Sequence, residues 1–119
     1  MKRLLIAAAL VLAPSAVFAA DFSGAWTIKG DVGGAIQFSS ACTLKQDNAG
    51  KLTGTCKGTQ NEDAPVTGTV TATSAEFAYD TTYQGSPVHL DYKGDVQADG
   101  TLKGAVDTGG PAGTFTLTK

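Results

Sequence analysis

Side chains able to do covalent, acid–base or metal chemistry are few in this sequence and widely spaced. Cys42 and Cys56 are its two cysteines and His89 its one histidine, while Asn61, Glu62 and Asp63 form a short run of oxygen donors. The cysteines are not a C-x-x-C pair, so a thiol redox couple is not indicated. Two thiolates alone do not complete a zinc site, and calcium needs more ligands than one short run supplies. His89 shares the parity of Asp91 and Lys93, opposite to that of Leu90 and Tyr92. Alternation therefore puts it on a solvated face, with no nucleophile beside it for an Asp–His pair to activate. No acid, base, nucleophile or metal set converges, so the chain is expected to be no enzyme and to hold no cofactor or metal.

The chemistry left to the cysteines is a disulfide. If Cys42 faces Cys56 across a hairpin, Leu44 faces Gly54, Gln46 faces Leu52, and DNAGK at 47–51 makes the turn. Directly opposed residues of a non-hydrogen-bonded antiparallel pair are close enough to be bridged. Two buried free thiols are the alternative.

Six aromatic residues, Trp26, Phe38, Phe77, Tyr79, Tyr92 and Phe115, share the parity of the apolar positions around them. They read as core. They also read as the wall of a pocket at one barrel mouth, with the tyrosine hydroxyls and Ser40 as its polar groups. The candidate ligand-binding set is Trp26, Phe38, Ser40, Phe77, Tyr79 and Tyr92.

What must position these side chains is a set of strands. The chain alternates at period two between turn signals and shows no helical pattern. Eight strands are expected, at 24–30, 35–45, 52–57, 65–71, 75–82, 88–96, 101–107 and 113–118. Connections are short, so neighbours should pair antiparallel. The fold class is all-β, an up-and-down antiparallel eight-stranded barrel, with a sandwich as the competitor. Gly54, Gly68, Gly94 and Gly104 recur inside these strands with inward parity. A mid-strand glycine lets a strand coil, so the repeat reads as a closure device, and less readily as the lining of a cavity.

The domain is preceded by an address. Lys2 and Arg3 are followed by an apolar run, Leu4 to Ala13, and by small residues ending in VFA at 17–19. This is the form of a secretory signal peptide, and the run is too short to span a bilayer. The expected organisation is a signal peptide, 1–19, and a single barrel domain, 20–119, periplasmic or secreted. Without Lys2 and Arg3 the domain has seven lysines and no arginine against eleven acidic residues, a net charge of −4. Such a surface suits neither nucleic acid nor an anionic membrane.

Gly24-Ala25-Trp26 at the first strand and Leu52-Thr53-Gly54-Thr55 in a meander resemble the avidin and streptavidin barrels over residues 22–56, and lipocalins also open with G-x-W. Avidins wall in biotin with several tryptophans. This chain has one, with Ile28 where that family has a polar residue, so biotin binding is not carried over. FSGAW followed by Cys42 and Cys56 is also similar to the small periplasmic metalloprotease inhibitors of bacteria, which share a leader, an eight-stranded barrel and one early disulfide. Their inhibitory arm precedes the barrel, whereas only Ala20 to Ser23 precede Gly24 here. The likenesses imply a barrel that binds a small apolar molecule in its mouth. A protein-binding module of the inhibitor type is the alternative partner class, and a structural or stress-related envelope role a third reading.

Overall fold

The computed structural model describes residues 21–119, so the expected leader and Ala20 lie outside the described residues. Eight strands follow: β1 (Gly24–Val32), β2 (Ile36–Gln46), β3 (Lys51–Lys57), β4 (Asp63–Val70), β5 (Ser74–Tyr83), β6 (Ser86–Val96), β7 (Leu102–Asp107) and β8 (Gly113–Thr118). Each pairs antiparallel with its neighbour in sequence, and β8 returns to β1 to close a barrel. The up-and-down order expected from the short turns is the order found, and the sandwich is excluded. Closure leaves no edge strand, although β4 and β5, and β6 and β7, part toward one end of the barrel.

Strand limits differ from the expected ones mainly around prolines. β4 begins at Asp63 and β6 at Ser86, so Pro65 and Pro87 lie inside strands. Both sit where the strand has a partner on one side only. The β4–β5 ladder stops at Thr67 and Ala78, short of Pro65. The β6–β7 ladder stops at Asp91, short of Pro87. A residue without an N–H costs nothing where no ladder needs it. Gln84 and Gly85, with φ of 52° and 82°, make the two-residue turn between β5 and β6. Positive φ at both central residues matches the twist of the flanking strands.

The barrel is made of two similar four-stranded units, β1–β4 and β5–β8, offset by about fifty positions. β2 and β6 have the same length and the same sequence of buried and exposed residues. The turns after them are built alike. Gly50 N–H donates to Asp47 O at 3.1 Å and Gly100 N–H to Gln97 O at 2.9 Å, both glycines having φ 86°. In this alignment Tyr92 and Val106 take the places of Cys42 and Cys56.

Those cysteines form a disulfide, with Cα atoms 4.0 Å apart, in the expected register of Cys42 opposite Cys56. The inward glycines allow a different approach from the one expected. A Cβ on Gly68 would meet neighbouring backbone: it would lie 2.7 Å from Phe77 Cα, 2.6 Å from Phe77 Cβ and closer still to Glu76 O. At Gly54, where φ is +148°, the obstacles are Thr43 O and Leu44 Cα. The space these glycines release is thus taken by the adjoining strand rather than by core side chains. That supports closure and not a glycine-lined cavity.

One pole of the barrel is plugged. Phe22 is fully buried there against Trp26, ring centroids 5.1 Å apart. Its N–H donates to Gln46 Oε1 at 2.9 Å and its carbonyl accepts from Trp26 Nε1 at 3.0 Å. The turns at this pole are also tied together, Val70 N–H donating to Gly50 O and Val96 N–H to Thr73 O. The middle of the barrel is filled by Phe77, Tyr92 and Phe115. Phe77 stacks on Tyr92 at 4.8 Å, and Phe115 sets its edge to both.

Candidate functional site at the open mouth

The opposite pole is open. Its rim is formed by the four turns β1–β2, β3–β4, β5–β6 and β7–β8, and it leads into a cavity of about 700 Å³. The apolar wall is Ile36, Phe38, Tyr83, Val88 and Leu90, and the polar groups include Ser40, Tyr79 and Thr81. Among the described residues, Ile36 and Tyr83 are the large apolar side chains left exposed, at 40% and 42%, and both stand on this rim. Phe38 lies over Gly30, where a Cβ would collide with its ring. That glycine is what lets the aromatic fold inward over the strand.

Each polar group is fixed by a partner. Ser40 is buried, and its hydroxyl donates to Lys57 O at 2.6 Å. Thr81 Oγ1 accepts from Thr59 N–H and donates to Glu62 Oε2, both at 3.0 Å. Thr59 Oγ1 also donates to Thr82 O. These contacts hold the 58–62 loop across the place where β4 and β5 have no ladder, so side chains close the wall that backbone leaves open. Glu62 is held below its ordinary carboxylate range, chiefly by its own backbone N–H, with Gln60 N–H and the Thr81 hydroxyl adding to it. At the floor, Tyr79 and Tyr92 hydroxyls meet at 3.0 Å with rings 5.7 Å apart. Burial pushes the Tyr92 phenol well up, so it stays neutral and protonated.

The structure divides the six candidate residues by depth. Phe38, Ser40 and Tyr79 line the mouth cavity. Phe77 and Tyr92 lie beneath them as the packed floor. Trp26 is at the plugged pole, bonded to Phe22, and faces no part of the mouth. Alternation separates inside from outside, but depth along the axis comes only from counting each residue from its turn. Ile36, Thr81, Tyr83, Val88 and Leu90 were missed. Their signal was available: they flank the two turns 33–35 and 84–85, so they must stand at the same pole. Phe22 was missed because it precedes the first strand.

The other chemical candidates lie away from the cavity's interior. His89 is outward as expected, and its Nδ1 meets Asp80 Oδ1 at 2.7 Å, both side chains being well exposed. Asp63 pairs with Lys57 Nζ at 2.6 Å on the outer surface. Among the described residues no helix is long and apolar enough to cross a membrane.

No known protein family, curated protein or solved structure matches the chain. The closed eight-stranded antiparallel barrel rests on the strand pairing of this chain alone, and the resemblance to avidins, lipocalins or periplasmic inhibitors has no match behind it.

Proposed function

We propose that this protein is an exported, non-enzymatic binding barrel that takes a small, mostly apolar molecule into its open mouth. One observation carries the reading: among the described residues the two exposed large apolar side chains, Ile36 and Tyr83, stand together at the entrance of a cavity rather than scattered over the surface. Apolar side chains gathered around a concave opening favour a ligand, whereas single ones on a convex face need no explanation. The disulfide is in keeping with an oxidising compartment such as the periplasm or the exterior. A protease-inhibitor role has less support. Phe22, in the segment that would supply an arm, is buried in the barrel.

The test is fluorescence titration of the mature protein with N-phenylnaphthylamine, an apolar probe that brightens out of water. Wild type should bind it saturably, and Ile36→Asp, which puts a charge on the exposed rim without opening the core, should weaken binding severalfold. No saturable signal from wild type, or equal binding by both proteins, would refute the reading. Capture of a stable protein partner by both forms would support the protein-binding alternative.

A further inference from the structure

We infer that the mouth selects a neutral apolar molecule carrying a hydrogen-bond acceptor, such as a ketone, ester or amide carbonyl, and that Tyr79 donates to it. The inference rests on the binding reading above and names its ligand class. It follows from counting protons at the floor. Tyr79 and Tyr92 have two hydroxyl protons and one hydrogen bond between them, at 3.0 Å. Tyr92 is fully buried among Phe77, Phe115 and Tyr79, and the Tyr79 oxygen is the partner its hydroxyl has. If Tyr79 donated to Tyr92, the Tyr92 proton would be left in an apolar core with no acceptor, the costly arrangement. Tyr92 therefore donates and Tyr79 accepts. The Tyr79 proton is then free, and Tyr79, unlike Tyr92, lines the cavity.

The other polar groups near the floor offer no second donor. The Ser40 proton is spent on Lys57 O and the Thr81 proton on Glu62. Nor is there a counter-charge for an anion. Lys57, the one basic side chain on the cavity lining, has its ammonium on Asp63, and burial keeps the Tyr92 phenol neutral. A carboxylate reaching the floor beside Tyr79 would give up its hydration there for one neutral hydroxyl and no counter-charge. A carbonyl oxygen needs one donor, and the wall of Ile36, Phe38, Val88 and Leu90 accepts the apolar remainder.

The experiment is displacement of bound N-phenylnaphthylamine by three ligands of equal chain length: nonyl methyl ketone, undecane and undecanoate. For wild type the ketone should displace the probe at roughly two- to tenfold lower concentration than the alkane, the worth of one net hydrogen bond, with undecanoate weakest. Tyr79→Phe, and Tyr79→Phe combined with Tyr92→Phe so that no buried hydroxyl is left unpaired, should both lose the difference between ketone and alkane. Tyr92→Phe should keep it, since the Tyr79 proton is untouched. Equal displacement by ketone and alkane on wild type, or a preference for undecanoate, would overturn the inference while leaving the cavity reading intact. So would a ketone preference that survives Tyr79→Phe. Failure of wild type to bind the probe at all would overturn both.

Discussion

Gly68→Ala adds one methyl group, and the structure fixes what that methyl must displace. Its carbon would sit 2.7 Å from Phe77 Cα and 2.6 Å from Phe77 Cβ, with Glu76 O nearer still. Real Cβ contacts below 3.0 Å are essentially absent, and these obstacles are mostly backbone, so no rotamer change relieves them. The φ of Gly68 is not in the left-handed region, so the cost comes from collision and not from backbone strain. Overpacking costs about 1–3 kcal/mol, and a site that cannot yield by side-chain motion belongs near the top of that range. At about 4–8 °C per kcal/mol for a domain of this size, a cost of about 2–3 kcal/mol should lower melting by roughly 8–24 °C. Gly110→Ala is the control. Its added carbon would have Thr108 Oγ1 at 3.9 Å as its one neighbour, and its φ is not positive. Melting there should be unchanged or slightly higher, since a glycine is lost from the unfolded chain. Thermal denaturation followed by far-ultraviolet circular dichroism measures both. A Gly68→Ala protein melting within a few degrees of wild type would refute the claim that strand approach requires this glycine.

Replacing Cys42 and Cys56 together by Ser should cost about 2–5 kcal/mol in denaturant unfolding while the sheet spectrum persists; two reactive thiols in the native protein would contradict the disulfide. Phe22→Ala should cost about 3–5 kcal/mol, because it empties the plugged pole and removes an aromatic partner of Trp26, and a change below about 1 kcal/mol would mean that the plug is not part of the core. Asp47 is held below its ordinary value by the backbone N–H groups of Lys51 and Ala49. Its folded-state pKa is the lower one, so its contribution is present above the unfolded value and lost as pH falls through the folded value; Asp47→Asn should therefore flatten the acid limb of a melting-versus-pH curve, and an unchanged limb would refute the assignment.

Much of this architecture was legible because a barrel strand repeats one decision, in or out, at every second residue. Leu52, Cys56, Val66 and Val70 could be assigned to the core on that ground alone, and the Cys42–Cys56 register followed from the turn between them. Depth along the barrel axis was harder. It depends on distance from a turn, so Trp26, near the start of β1, and Phe38, near the start of β2, carry the same parity and lie at opposite poles. Interactions between elements were not legible at all. Nothing in GTQNE at 58–62 says that Thr59 and Glu62 fasten to Thr81 across a missing ladder. Nor does glycine spacing reveal that Gly68 makes room for the backbone of β5.

The order of strand pairing also sets the order in which the barrel can fold. Seven of the eight ladders join strands consecutive in sequence, and each can start from its own turn; the ladder that pairs Thr27 with Thr118 spans nearly the whole domain. Local hairpins form early because little chain entropy is lost in bringing their ends together, and a distant pairing must wait until other contacts have shortened the path. The β8–β1 seam is accordingly the final event, the step that turns a coiled meander into a barrel. The disulfide does little for that step. It links residues 14 apart within one hairpin, and removing so short a segment from a path of this length barely changes a cost that grows with the logarithm of length. Its effect on kinetics should fall on the β2–β3 hairpin, while the rate of closure is governed by how readily the sheet coils, which returns the control of folding to the glycines.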